Sequence, residues 1–494
     1  MELRFEHTGI TGWRERFCRE EKVRVDLEGV VPDVNEDVGR IASVQASVLL
    51  KSKELTGRSA RIGGEVSAAV LYITEKEDAV SFVRLSREFE TEIDAGTAES
   101  VEELQVMLRV NRAEARILNP RKLAVSAELR CRALGYGQEE LTLSLLPAQE
   151  DAALLHGLEE RLETTAAVSV CEKSFALTES FEFTEGRAAP QTLLCHELQL
   201  RIADQSRVGS RLIVKGSMEL CVWVQAEGLC YPLRQQFSAP FSQIIETGTE
   251  SCACCTLLCE PTAVYLTLGD GIGGGKTLEA EVHAVLQAVC RSRKELRFLS
   301  DAYSNAMPLH CGEQSLYRES AGEMQLGALR AATPVAVADN CADVLAVLPV
   351  LQVGAGEDAA VNLDVIYRTA DGTMTAVRRS VPLRGDKLPP DARLLSAALR
   401  RCDLRAAGEG LDCEMEAELF WQSLKTAQQP AIGSASLEED KPYDRSALPA
   451  VTLVRVEKES LWELARRCHA SVEGIKAANG PGALEGRMLL IPRE

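Results

Sequence analysis

Cys252, Cys254, Cys255 and Cys259 fall within eight residues, and four thiolates are a donor set that holds structural zinc. Their spacing is not the paired C-x2-C arrangement of zinc modules. At an offset of 151 residues, Cys252, Cys255 and Cys259 correspond to Val101, Leu104 and Leu108. Apolar packing is therefore the preferred reading, with metal binding or oxidative cross-linking as lesser alternatives. The run Gly269-Asp270-Gly271-Ile272-Gly273-Gly274-Gly275-Lys276-Thr277 invites a phosphate-loop reading, but the required first glycine falls on Asp270. Leu278, Ala280, Val282, Ala284 and Leu286 then alternate as a strand, whereas a phosphate loop must open a helix. The run reads as a hairpin turn. His7, His156, His196, His283, His310 and His469 show no metal or nucleophile–base spacing, and no Gly-x-Ser-x-Gly elbow is present. These residues predict no catalytic group, metal or cofactor.

The elements that would carry any site follow from length and patterning. At 494 residues the chain exceeds what one hydrophobic core supports and predicts three or four domains. Hydrophobic content of 46% with 26% charged residues is that of an ordinary globular protein and excludes disordered or collagen-like classes. A net charge of −19 repels nucleic acid and anionic membranes, and fits a protein partner with a basic patch. No apolar run is long enough to span a bilayer as a helix, and the first residues lack the apolar core of a secretion signal. Both predict a cytoplasmic protein whose sixteen cysteines are free thiols.

The chain repeats itself. Gly64-Glu65-Val66-Ser67-Ala68-Ala69-Val70-Leu71-Tyr72 and Gly216-Ser217-Met218-Glu219-Leu220-Cys221-Val222-Trp223-Val224 share period-2 alternation, and Val361 to Tyr367 supplies a third copy. Glu21-Lys22 recurs as Glu172-Lys173, and the turn at Gly96-Thr97 recurs at Gly248-Thr249. Strands of six to nine residues separated by turns such as Asn119-Pro120-Arg121 and Ala370-Asp371-Gly372 predict mainly β sandwich- or barrel-like modules. The first module is expected over 1–149. The second, over 150–309, opens with a helical connector read from Leu154, Leu158 and Leu162. A diverged third module is expected over 310–427, and the small, polar, proline-interrupted residues 428–450 predict a flexible linker.

Residues 451–494 predict a small β-α-α-β domain. Ser460 caps a first helix whose apolar face is Leu461, Leu464, Ala465 and Cys468, and Ser471 caps a second bearing Val472, Ile475 and Ala478. Its core is predicted to be Leu461, Trp462, Leu464, Ala465, Ile475 and Ile491. Leu461-Trp462-Glu463-Leu464-Ala465, Ser471-Val472-Glu473-Gly474-Ile475, Asn479 and Gly486-Arg487-Met488-Leu489-Leu490-Ile491-Pro492 resemble the LysM pattern in order. The first turn departs from the family's Gly-Asp-Thr or Gly-Asp-Ser and has Lys458-Glu459-Ser460. Lysine there adds bulk and charge where a sugar would approach, so protein binding stands beside the family's N-acetylglucosamine binding.

Tandem β modules followed by one such domain resemble the SPOCS-repeat proteins of spore-forming Firmicutes. That resemblance implies a non-enzymatic spore-coat scaffold in the mother-cell cytoplasm at the forespore surface. Its C-terminal domain would bind the ATPase of the coat's basement layer, and its β modules would recruit other coat proteins. Lys458, Glu459, Ser460, Arg466, Lys476 and Asn479 are the expected partner contacts. The alternative is a peptidoglycan-binding protein of the cortex or envelope.

Overall fold

A computed structural model describes residues 5–56, 58–76, 78–96, 101–147, 155–183, 188–271, 275–338, 341–353, 359–385, 388–407, 410–444, 449, 451–456, 459–480 and 488–492. It is mainly β, 80% strand and 4% helix, so inter-strand hydrogen bonds satisfy most of the backbone. Strands β1 (Phe5–Val30), β2 (Val38–Thr56), β3 (Ser59–Thr74), β4 (Val80–Asp94), β5 (Glu103–Asn119) and β6 (Lys122–Pro147) form a first unit. β7 (His156–Glu182), β8 (Pro190–Val208), β9 (Arg211–Ala226), β10 (Leu233–Glu246), β11 (Cys254–Asp270) and β12 (Lys276–Tyr303) form a second. The third comprises β13 (Leu309–Ala336), β14 (Cys341–Val353), β15 (Ala359–Thr369), β16 (Met374–Pro382), β17 (Arg384–Gly385), β18 (Ala392–Ala407) and β19 (Gly410–Leu437).

The pairing is the same in all three units. The first strand pairs antiparallel with the last, which pairs with the one before it: β1-β6-β5, β7-β12-β11 and β13-β19-β18. The strands between form the meanders β2-β3-β4, β8-β9-β10 and β14-β15-β16. A single bridge, Trp13 to Ala167, joins β1 to β7 and merges two of the larger sheets into six strands. Val66, Ala68, Val70 and Tyr72 face Leu123, Val125, Ala127 and Leu129 between the sheets of the first unit. Gly64 and Gly216 each lie beneath the phenyl ring of the opposite residue, Phe89 and Phe241, where a Cβ would clash.

The three units are interlocked. The faces of the meanders that alternation alone would assign to water meet one another: Leu71, Ile73, Trp223, Leu348 and Ile366 share one buried cluster. Met107, Leu258, Leu395 and Phe420 form a second shared cluster. The free edge of β5 is covered by side chains of the second unit. Gln287 donates to the Val106 carbonyl at 2.8 Å and accepts from its N–H at 2.9 Å, and Glu260 accepts from Leu108 N and Arg109. Arg291, fully buried, donates to Glu319 of the third unit at 2.6 Å, and Arg393 grips Glu15 of the first at 2.7 and 3.0 Å.

Two expectations are corrected. Residues 156–165 are strand, the start of β7, rather than a helical connector; Leu154 lies outside the described residues. Spacings of four and eight keep Leu158 and Leu162 on one side of a strand as well as of a helix, so that signal could not separate the two. Residues 428–437 are the end of β19 rather than linker, paired with Leu309 to Tyr317, and the third unit extends to Leu437. β18 stops pairing at Ser423, so Pro430 sits on an edge that needs no N–H donor. The small side chains there permit close packing: Ser144 donates to Gly433 O, and Ala431, Ile432 and Ala435 are buried.

The chain ends in β20 (Val451–Arg455), α1 (Leu461–Cys468), α2 (Val472–Asn479) and β21 (Met488–Pro492), with β20 and β21 antiparallel. No helix among the described residues is long and apolar enough to cross a membrane.

Candidate functional site

The C-terminal β-α-α-β unit is built by its capping residues. Ser460 Oγ accepts from Glu463 N, and Glu463 reaches back to Ser460 N, a reciprocal capping box. Ser471 Oγ accepts from Gly474 N to start α2. Leu464, Ala465 and Ile475 are fully enclosed and Ile491 nearly so, while Leu461 and Trp462 are only partly buried.

Trp462 faces the second unit. Its indole Nε1 donates to Asp301 Oδ2 at 2.8 Å, and Arg466 meets the same carboxylate at 2.9 Å. Tyr303 lies edge-on to Trp462 with ring centroids 4.9 Å apart, and its hydroxyl donates to Ala470 O at 2.7 Å. Tyr443 packs on His469 at 4.0 Å. The C-terminal unit is thus docked on the end of β12 rather than hanging on a leash. Asp301 and Tyr303 were not among the expected site residues; they lie some 160 positions upstream, and nothing local to them signals the contact.

Most of the expected contact residues have internal tasks. Glu459 pairs with Arg467 at 2.6 Å, Ser460 caps α1, and Arg466 is held by Asp301. Asn479 clamps α2 to β21, donating to Ile475 O and Leu490 O and accepting from Leu490 N. Lys476 is exposed on α2, and Lys458 lies outside the described residues.

Among the described residues, the outer face of β20 and β21 carries an exposed apolar surface. Leu453 stands directly opposite Leu490, with Val451 and Met488 one step to either side. These four side chains are between 40% and 59% exposed, although Leu489 and Ile491 on the inner face are buried. Strand alternation carried that signal, but the expected contacts were sought only among polar residues.

A cavity of about 360 Å3 lies where the three units meet. Arg109, Arg132 and Arg201 line it, each paired with a carboxylate: Glu260, Glu20 and Glu418. Burial lowers His196 to about 4, raises the neighbouring Glu197 and pushes the Cys259 thiol up to about 12. Burial thus favours the neutral forms of His196, Glu197 and Cys259, while Arg130, which also lines the cavity, has a buried Nε without a hydrogen-bond partner. Gly269 and Asp270 pair antiparallel with Thr277 and Lys276 at the ends of β11 and β12; residues 272–274 lie outside the described ones.

The cysteine run divides. Cys254 faces Ala321 O, Cys259 lies farther along the same buried face as Cys255, and Cys252 and Cys255 meet Cys290 of β12.

No family model, curated protein or solved structure matches the chain.

Proposed function

We propose that this protein is a non-enzymatic spore-coat scaffold, similar in architecture to SipL, the clostridial spore-coat morphogenetic protein. In this reading the interlocked β units are SPOCS-like modules, and the C-terminal unit is a LysM-like domain that binds the basement-layer ATPase. The scaffold works in the mother cell at the forespore surface, and its β units recruit other coat proteins.

One observation carries the reading: the apolar row of Val451, Leu453, Met488 and Leu490 on a two-stranded face. Four adjacent large apolar side chains left in water are the mark of an interaction surface, since scattered ones are normal and contiguous ones are not. A flat apolar face suits a protein better than a sugar, whose hydroxyls require convergent polar groups. Asn479, the family's characteristic polar residue here, is consumed by the clamp to β21.

The test is a pull-down of the full chain against the purified coat ATPase and, separately, against muropeptide beads. Retention by the ATPase that is lost in a Leu453→Asp/Leu490→Asp variant supports the reading. Retention by glycan alone overturns it.

A further inference from the structure

Three sulfurs converge at one end of the second unit, and a fourth thiol from another strand packs beside them. Cys255 and Cys290 are direct cross-strand partners on β11 and β12, with Sγ atoms 3.4 Å apart. Cys252, in the short segment before β11, places its Sγ 3.2 Å from that of Cys255. The three sulfurs all lie within 4.8 Å of one another. Cys171 of β7, paired with Ala288 two residues from Cys290, packs against the same cluster and supplies a fourth thiol beside these three.

The first unit shows what this place holds when only packing is required. Leu104 and Gly135 are the cross-strand pair of β5 and β6 that corresponds to Cys255 and Cys290. Phe17 and Val101 fill the space over Gly135, approaching to 2.2 and 2.8 Å of the position its Cβ would take. The second unit has Cys252, Cys255 and Cys290 where the first has Val101, Leu104 and Gly135. Hydrophobic filling explains one buried cysteine; it does not explain three sulfurs within 4.8 Å of one another with a fourth thiol packed beside them.

We propose that Cys171, Cys252, Cys255 and Cys290 are the ligands of a tetrahedral zinc ion. Zinc–thiolate bonds of about 2.3 Å set sulfur–sulfur separations near 3.8 Å, so the spacings among Cys252, Cys255 and Cys290 close on the metal with small side-chain rotations, and Cys171 is the neighbouring thiol for the fourth position. On binding, the four thiols release their protons and the site becomes dianionic. Cys255 and Cys290 are buried while Cys252 is partly exposed, which provides an inner seat and an entry side.

The ion would tie β7, β11 and β12 together at a useful place. Gln287 is three residues before Cys290 and Glu260 five after Cys255, and these two side chains cover the free edge of β5. A zinc cross-link there braces the joint between the first and second units without touching the C-terminal unit.

The experiment is metal analysis of the full chain, expressed with zinc and purified with a phosphine reductant and no chelator. About one zinc per chain is expected, and cobalt exchanged into the protein is expected to show the intense absorption of tetrahedral thiolate coordination. Cys252→Ser and Cys171→Ser, at partly exposed positions, should lose most of the metal while circular dichroism keeps the β signature. Cys254→Ser and Cys259→Ser should retain it. A folded wild-type chain that takes up no added zinc overturns the proposal, as does full zinc content in both Cys252→Ser and Cys171→Ser. So does a metal-free protein whose peptide map shows these cysteines joined as disulfides. Because the readout is metal, failure of this proposal leaves the scaffold reading standing.

Discussion

Replacing Tyr303 by alanine should release the C-terminal unit from the β body. The side chain is 5% exposed, stacks on His156 at 5.0 Å, meets Trp462 edge-on and donates its hydroxyl to Ala470 O. Truncating a buried aromatic costs about 3–5 kcal/mol, and the aromatic contact with Trp462 belongs within that figure. At 1.4 kcal/mol per factor of ten, a loss of about 4 kcal/mol shifts the docking equilibrium nearly a thousandfold. Tyr303→Phe deletes only the hydroxyl and leaves the Ala470 carbonyl without that donor, a cost of about 1–2 kcal/mol. Asp301→Ala removes one indole hydrogen bond and an ion pair to an Arg466 that is 57% exposed. Water screens that pair, so the two together amount to about 1–2 kcal/mol, roughly tenfold. Limited proteolysis between β19 and β20 reads the open population when closing outpaces cleavage. Cleavage should rise steeply in Tyr303→Ala and modestly in Tyr303→Phe and Asp301→Ala. Wild-type cleavage rates in Tyr303→Ala would refute the docking argument.

Leu464→Ala or Ile475→Ala should unfold the small unit and abolish partner binding, because truncating an enclosed Leu or Ile costs about 2–5 kcal/mol; one-dimensional NMR of the methyl region checks it. Under the proposed scaffold reading, Lys458→Glu should weaken binding to the coat ATPase while the unit stays folded, and unchanged affinity in a titration would move the interface elsewhere. Gln287→Leu should destabilise the joint of the first two units by about 2–4 kcal/mol, since both the N–H and the C=O of Val106 lose their partner; denaturant unfolding monitors it. His196 binds a proton less readily folded than unfolded, with burial lowering it to about 4. Between pH 6.5 and 4 the unfolded chain therefore takes up more protons, so this residue's contribution to stability is present above pH 6.5 and is lost as pH falls, by about 3 kcal/mol at most. A His196→Gln variant should flatten the stability profile across that window relative to wild type, and parallel profiles would reject the assignment.

Where one face of a strand is buried and the other wet, the chain declares itself. Val66 to Tyr72 and Met218 to Val224 alternate with period two, and they are the inner faces of β3 and β9. The serines that cap α1 and α2 act within one turn of their own backbone, so they could be recognised from neighbouring residues alone. Leu71 and Trp223 broke the alternation, and that departure was the available sign that a second apolar surface waits on the far side of the meander. Spacings of four among leucines were ambiguous between helix and strand, and small residues after Gln428 imitated a linker while serving close packing.

Periodicity and capping are short-range properties, governed by side-chain direction along one element and by hydrogen bonds a few residues apart. They suffice for the β-rich class, the recurring strands at Val66–Tyr72 and Met218–Val224, and the two helices near the C-terminus, but not for the strands at residues 156–165 and 428–437. The pairing of Trp462 with Asp301, of Gln287 with Val106, and of Cys171 and Cys290 with Cys252 and Cys255 joins residues up to some 180 positions apart. Such contacts depend on how the three β units close against one another. That closure is set by buried area and complementary edges summed over the whole assembly, and no local window of residues contains it.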